Sequence, residues 1–157
     1  GEKMIREANK FDIPEIIDLL KQVNLIHHQG RPDIFNIGTK YTKEELEQLI
    51  DDEQKPIYVF IDNKILGYAF CIIKEIKDDN ILVNRRELYI DDLCVLESNR
   101  GNHIGTSLFS YVKEKAIELN CDSITLNVWS FNEGAMAFYQ KMGMKSLKTV
   151  MEYPIKK

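Results

Sequence analysis

Apolar residues at Ile13, Ile16, Ile17, Leu20 and Val23 recur at helical spacing directly after Asp12-Ile13-Pro14-Glu15. That run predicts a first helix with Asp12 as its N-cap, Pro14 in the first turn and Glu15 reaching back. Residues 4–7 read as a short strand before it. Residues 27–40 hold two glycines, a proline and scattered apolar side chains, the pattern of a loop. Thr42-Lys43-Glu44-Glu45 is a capping box ahead of Leu46, Leu49 and Ile50, a second, short helix. Strand patterns follow at 57–61, at 65–75 after a turn at Asn63-Lys64, and at 87–95 after the polar loop Asp78-Asp79-Asn80. Ile104, Leu108, Val112, Ala116 and Leu119 mark an amphipathic helix. Ile124, Leu126 and Val128 alternate with polar residues as a half-buried strand. Residues 132–142 read as a last helix closed by Gly143 at C′, and 145–154 as a final strand. The order is βααβββαβαβ: a mixed α/β (α+β) domain with a central sheet, helices on its faces and one β-α-β crossover.

The chain has 157 residues, of which 44% are hydrophobic and 29% charged, so 1–157 reads as a single domain with a real core. No apolar run has the roughly 18 residues that span a bilayer, and no signal peptide precedes the first helix. The three cysteines (Cys71, Cys94, Cys121) lack C-x-x-C spacing and read as reduced thiols of a cytoplasmic protein. A net charge of −4 argues against nucleic acid as the main partner and suits a cationic substrate. Gly1 reads as a tag remnant; Asp51-Asp52-Glu53 and Lys156-Lys157 read as exposed charge.

Leu93-Cys94-Val95-Leu96-Glu97-Ser98-Asn99-Arg100-Gly101-Asn102-His103-Ile104-Gly105-Thr106 carries the most chemistry. It is an apolar strand, a polar turn with two glycines, then a helix start. Unpaired N–H groups and the helix dipole at that start favour an anion, and glycine admits close backbone approach. A plain βα turn using glycine for its geometry is the alternative on these residues alone. The run lacks the Lys-Ser/Thr ending of a P-loop and the G-x-G-x-x-G spacing of a dinucleotide fold.

Residues 88–145 resemble the GNAT superfamily of acyl-CoA-dependent N-acetyltransferases. The family's Gln/Arg-x-x-Gly-x-Gly/Ala motif, five residues after a buried valine, is matched by Val95 followed by Arg100-Gly101-Asn102-His103-Ile104-Gly105. Its second signature is matched by Asn132 leading into Ala135-Met136-Ala137-Phe138-Tyr139-Gln140-Lys141-Met142-Gly143-Met144. His103 departs from the pattern, standing where the family has glycine. Its imidazole would either reach a phosphate or point to solvent. The Tyr-Ile-Asp-Asp-Leu-Cys-Val run is most similar to the spermidine/spermine branch, whose Glu-Asp pair falls at Asp91 and Asp92. The N-terminal third matches only in its strand–helix–helix order.

The resemblance implies the cofactor and the roles. Acetyl-CoA lies where the strand ending at Val95 splays from the strand 124–128. Its pantetheine arm pairs with the backbone around Leu93, Cys94 and Val95, and its pyrophosphate sits on the turn from Arg100 through Gly101, Asn102, His103, Ile104 and Gly105 to Thr106. A backbone amide near Leu93 polarises the thioester carbonyl as charge develops there. Tyr139 is the general acid for the leaving thiolate, and Asn132 caps its helix while bonding the pantetheine. Asp91 is the candidate base and Asp92 a substrate contact. Adjacent strand residues face opposite sides unless a bulge intervenes. Whether Asp91 takes a proton or only attracts a cation stays open. Asn127 falls where ribosomal-protein alanine acetyltransferases carry a glutamate base.

In the family the segment after the first helix lines the acceptor site. His28 and Asp33, with His27, Arg31 and Phe35, are therefore acceptor-site candidates, a solvated loop being the alternative. Adjacent His27 and His28 have no third ligand at metal spacing, so no metal is expected. The expectation is an acetyl-CoA-dependent N-acetyltransferase of a small cationic amine, with no nucleic-acid or membrane partner, and with homodimers common in the family. An aminoglycoside or peptide acceptor, and a non-catalytic acyl-CoA-binding regulatory module, are the alternatives.

Overall fold

A computed structural model of the protein describes residues 2–156; Gly1 and Lys157, with the tag and charge expected of them, lie outside it. The chain divides into two units, Gly1–Asn127 and Val128–Lys157. The first holds strands β1 (Met4–Glu7), β2 (Ile57–Asp62), β3 (Lys64–Ile76), β4 (Arg85–Val95) and β5 (Ser123–Leu126), with helices α1 (Ile13–Gly30), α2 (Lys43–Ile50) and α3 (Ile104–Glu118). The strands form one five-stranded sheet in the order β1-β2-β3-β4-β5. The first three pairings are antiparallel and β4–β5 is parallel, joined through α3 as a parallel pair requires.

Helix α1 starts differently from its sequence pattern. Asn9 caps a 3-10 turn, Lys10–Asp12, by accepting from Phe11 N–H, and Asp12 returns to the Asn9 N–H at 2.8 Å. Asp12 therefore makes no side-chain cap of α1 and holds Arg6 at 2.7 and 2.9 Å instead. Glu15 does not reach back: it accepts from the Ile65 N–H at 2.6 Å, tying α1 to β3. The helix also takes in the first four residues of the expected loop, so His27 and His28 lie in its last turn. The capping box of α2 forms as expected, Thr42 taking the Glu45 N–H at 3.1 Å and Glu45 the Thr42 N–H at 3.0 Å.

Helices α1 and α2 bury Ile13, Ile16, Leu19, Leu20 and Leu46 against Ile57, Val59, Tyr68, Phe70 and Cys94. Each such aliphatic side chain contributes about 1.5–3 kcal/mol. Helix α3 covers the other face, Ile104 and Leu108 meeting Phe60 and Leu66. Among the described residues no helix is long and apolar enough to cross a membrane.

The second unit holds α4 (Glu133–Lys141). Asn132 caps it, accepting from the Ala135 N–H at 3.2 Å, and Gly143 follows with φ 100, the left-handed C′ expected of it. The expected strand at 145–154 is absent. Leu147, Val150, Met151 and Tyr153 are exposed, and no described residue offers that stretch a ladder. Alternation marks a potential strand, but a neighbour must satisfy its backbone. Val128 likewise lies beyond β5, which ends at Leu126.

Candidate active site

Strand β4 outruns its parallel neighbour. Pairing with β5 runs from Glu87–Ser123 to Ile90–Leu126, and among the described residues no strand pairs with β4 on that side from there to Val95. The Leu96 N–H bonds the Leu66 carbonyl at 2.7 Å, which fixes the alternation above it. Asp92 and Cys94 therefore turn their backbone groups to β3, while those of Leu93 and the Val95 N–H turn to the other side, the Val95 carbonyl being taken by α1. Gln22 of α1 braces this end, its Nε2 donating to the Val95 carbonyl at 3.0 Å and its Oε1 accepting from the Glu97 N–H at 2.9 Å. Gln22 went unrecognised in the sequence; the signal that could have found it is a polar residue one turn after buried Leu19. Asn127 donates to the Tyr89 hydroxyl at 3.2 Å, closing the paired part of the β4–β5 ladder.

A bulge decides how the two aspartates point. Phe70 pairs with Asp92 and Cys71 with Ile90, leaving Asp91 as the extra residue. Simple alternation would have sent the carboxylates to opposite faces. Instead Asp91 accepts from the Tyr41 hydroxyl at 2.5 Å and Asp92 from the Tyr68 hydroxyl at 2.7 Å, and the Phe70 ring touches both phenols, stacked on Tyr41 at 5.5 Å and edge-on to Tyr68 at 4.8 Å. Both carboxylates thus join one cluster on the α1–α2 face. Lys40 completes it, its Nζ 3.1 Å from the Asp91 carboxylate and 3.2 Å from the Asp91 carbonyl. Lys40, Tyr41 and Tyr68 went unrecognised in the sequence, because a loop and an apolar strand gave no sign that they meet.

The electrostatics separate the two acids. Burial pushes the Asp92 carboxyl up to about 6, while the Tyr68 hydroxyl and Lys40 pull it back and Asp91 adds to the rise. Burial and the Asp91 carboxylate raise the Tyr41 phenol, and burial and Asp92 raise that of Tyr68, so both stay protonated donors. His27, against the Phe35 ring at 4.9 Å, is lowered by burial and then by Lys40. The buried Cys94 thiol is pushed up to about 12, which removes it as a nucleophile at neutral pH.

Of the expected acceptor contacts, Asp92 lies in the cluster. His28 meets the Phe35 carbonyl through Nδ1 at 2.6 Å, and exposed Asp33 is held by Arg31 at 2.8 Å. Both brace the segment that delivers Lys40 and Tyr41.

After Val95 the chain makes a 3-10 turn, Glu97–Asn99, and passes Arg100 and Asn102 to α3. Gly101 has φ 89 and nothing within 4 Å of where a Cβ would stand, so the backbone angle, not crowding, calls for glycine. His103 caps α3 from the left-handed region (φ 61) with no side-chain cap bond, and its side chain is exposed. The first-turn N–H groups of Ile104, Gly105 and Thr106 have no acceptor within the helix. An uncapped helix start beside an open strand edge fits an extended ligand that carries an anion, as acetyl-CoA does. Left-handed backbone explains why glycine would suit position 103. His103→Gly is expected to raise stability by about 0.5–1.5 kcal/mol. A denaturant midpoint that falls would show that the imidazole makes a contact worth more than the strain. Asn132 and Tyr139 belong to the second unit; Tyr139 lies half-buried on α4, its ring edge-on to Phe138 at 5.2 Å.

Comparisons with known proteins bear on this arrangement. Residues 21–144 match the family model described as Acetyltransferase (GNAT) family. The Drosophila melanogaster protein called probable N-acetyltransferase san is 39% identical over 141 residues, covering 89% of this chain and 68% of that protein. Bos taurus thialysine N-epsilon-acetyltransferase is 32% identical over 62 residues, 40% of this chain and 36% of that protein, so the match spans about a third of its length. Among solved structures, a mutant of the BH1408 protein of Bacillus halodurans superposes with a TM-score of 0.94 at 32% identity, covering 98% of this chain and 99% of that one.

Proposed function

Because the chain belongs to the GNAT family of acetyltransferases, whose members generally use acetyl-CoA, we propose that it acetylates a primary amine, and that its acceptor is a small cationic amine such as a polyamine or an amino-acid-like diamine. One observation carries the finer part: an ammonium already sits 3.1 Å from Asp91 in the carboxylate cluster, in the form of Lys40. The bovine relative's name, thialysine N-epsilon-acetyltransferase, points to the same acceptor class.

Acetyl-CoA supplies the activated acetyl group as a thioester. Leu93 and Val95 on the open edge of β4 would hold its arm, with Cys94 between them, and the turn 100–106 its pyrophosphate. Asp91 holds the incoming ammonium by charge. Asp92 receives the proton, because a carboxyl near pKa 6 is ionised at neutral pH yet more basic than an ordinary aspartate. This moves the base from Asp91, where the sequence placed it, to its neighbour. The Tyr68 hydroxyl holds Asp92 in place. With Cys94 unable to ionise, direct attack by the amine is favoured over an acyl-cysteine route. Tyr139 keeps the role of general acid that its motif position suggests, a phenol giving its proton to the departing thiolate.

Thiol release from acetyl-CoA, measured against polyamines, lysine analogues, aminoglycosides and short peptides, tests the proposal. Turnover is expected with the small cationic amines. Selective turnover of peptides or aminoglycosides would overturn the acceptor class. CoA binding with no turnover of any amine would mark a regulatory module. Tyr139→Phe is expected to lower kcat by about 10–100-fold with the acetyl-CoA KM nearly unchanged. A raised KM with normal kcat would make Tyr139 a binding residue.

A further inference from the structure

We infer that Lys40 is itself an acceptor, acetylated by its own protein chain, and that its acetylation frees Asp91 for an incoming amine. The inference rests on the acetyl-transfer activity proposed above. Lys40 Nζ lies 3.1 Å from the Asp91 carboxylate and 3.2 Å from the main-chain carbonyl of the same residue. Asp91 is the bulged residue at the point where β4 leaves β5 behind. The ammonium therefore occupies the place assigned to the acceptor amine and uses the carboxylate meant to hold it.

The segment that carries Lys40 is pinned around it. The Asn24 side chain donates to the Asn36 carbonyl at 2.8 Å, and His28 Nδ1 meets the Phe35 carbonyl at 2.6 Å. The next residue, Tyr41, donates to Asp91, and Thr42 caps α2. The amine is thus delivered to a fixed place, while its side chain stays 44% exposed and within reach of a reagent. Other lysine pairs differ in kind. Lys77 meets Glu75 at 2.9 Å and Lys115 meets Glu118 at 3.2 Å, both on solvated surface outside the carboxylate cluster. Among the described residues, the charged and titratable groups facing Lys40 include Asp91, Asp92, His27 and Tyr41, whose ring centre lies 5.7 Å from Nζ.

The chemistry balances with an acetyl-CoA thioester as co-reactant. The lysine ammonium, held by Asp91, loses a proton to Asp92, the base proposed above, and its lone pair attacks the thioester carbonyl carbon. The new N–C bond forms as the C–S bond breaks. Of the two protons the nitrogen gives up, one leaves with the thiolate as free CoA thiol and the other passes to solvent. The product amide is neutral and no longer pairs with Asp91.

The test incubates the full chain with acetyl-CoA alone and follows each lysine by peptide mass spectrometry. CoA binding by calorimetry and thiol release with added amines are measured in parallel. Lys40 is expected to gain one acetyl group at least about tenfold faster than exposed Lys3 and Lys148, as held proximity should give. Its rate constant should be independent of protein concentration and should fall with excess diamine. Lys40→Arg, which keeps a charge on Asp91 and cannot be acetylated, should abolish that signal and also lower the turnover of added amines, while CoA binding is unchanged. Acetylation of Lys40 no faster than of Lys3 and Lys148, in a protein that turns over amines, would overturn the inference and leave the proposed function standing. A protein that neither binds CoA nor releases thiol would overturn both.

Discussion

Replacing Asp92 by asparagine is expected to lower amine turnover by about a hundredfold or more and, at the same time, to make the protein more stable at neutral pH. The two effects have one cause. Burial holds the Asp92 carboxyl near 6, against an ordinary 3.8. Between those values the native state keeps a proton that the unfolded chain has already lost. Stability therefore falls as pH rises through that window, and the deficit persists above it. Asparagine has no charge to desolvate, and its carbonyl can still accept the Tyr68 hydroxyl. After discounting for the partial exposure of Asp92, the gain at neutral pH is about 1–2 kcal/mol. Asparagine also cannot receive a proton. The acidic limb of the kcat/KM profile, expected near pH 6 in the parent, should vanish from the residual activity. Denaturant titrations at pH 4 and pH 8 with a pH–rate profile check both halves. Activity within about twofold of the parent would remove Asp92 as the base. Loss of both activity and stability would make Asp92 a structural anchor.

The parts of this site that were legible in the sequence are local. The run from Leu93 to Thr106 announces a strand, a turn and a helix start, and the capping box at Thr42 announces α2. These signals need only neighbours a few residues apart. The bulge at Asp91 is different. It is set by the register of β4 against β3, and nothing in Tyr-Ile-Asp-Asp-Leu states that register. Without it the two carboxylates fall on opposite faces, and the cluster with Tyr41, Tyr68 and Lys40 cannot be seen. Tyr41 meets Asp91 across 50 positions of sequence, a distance that no periodicity spans. Asp12 misled for a related reason. It has the composition of a cap, but Arg6 and the Asn9 N–H compete for its oxygens and win them. Residues 145–154 show the opposite failure, a good strand pattern that no described residue pairs with.

Substituting Gly67 is expected to cost stability even when only a methyl group is added. A Cβ there would stand 2.9 Å from the Cys94 carbonyl oxygen, 2.9 Å from a Leu108 methyl and 3.2 Å from a methyl of Ile104. The first of these is backbone of β4 and cannot swing aside; the other two are the residues by which α3 seats on the sheet. Gly67→Ala should cost about 1–3 kcal/mol, and Gly67→Val more, because the second branch adds to the same overlap. The ordinary gain from replacing a strand glycine, a few tenths of a kcal/mol up to about 1, has the opposite sign and is smaller. Trimming Leu108 to alanine in the Gly67→Ala background relieves only one of the three contacts and opens a cavity of its own, so it should not restore stability. The damage should also reach the cofactor side. Ile104 opens α3 directly after the turn 100–103, and Cys94 lies between the two residues of the open strand edge. Lifting α3 or β4 by a few tenths of an ångström disturbs the amides that would hold a pyrophosphate and the edge that would hold its arm. CoA affinity measured at a temperature where the variant is still folded should therefore fall with stability. A Gly67→Ala protein as stable as its parent would show that α3 shifts freely on the sheet, and that the close seat of the helix is not what fixes the turn.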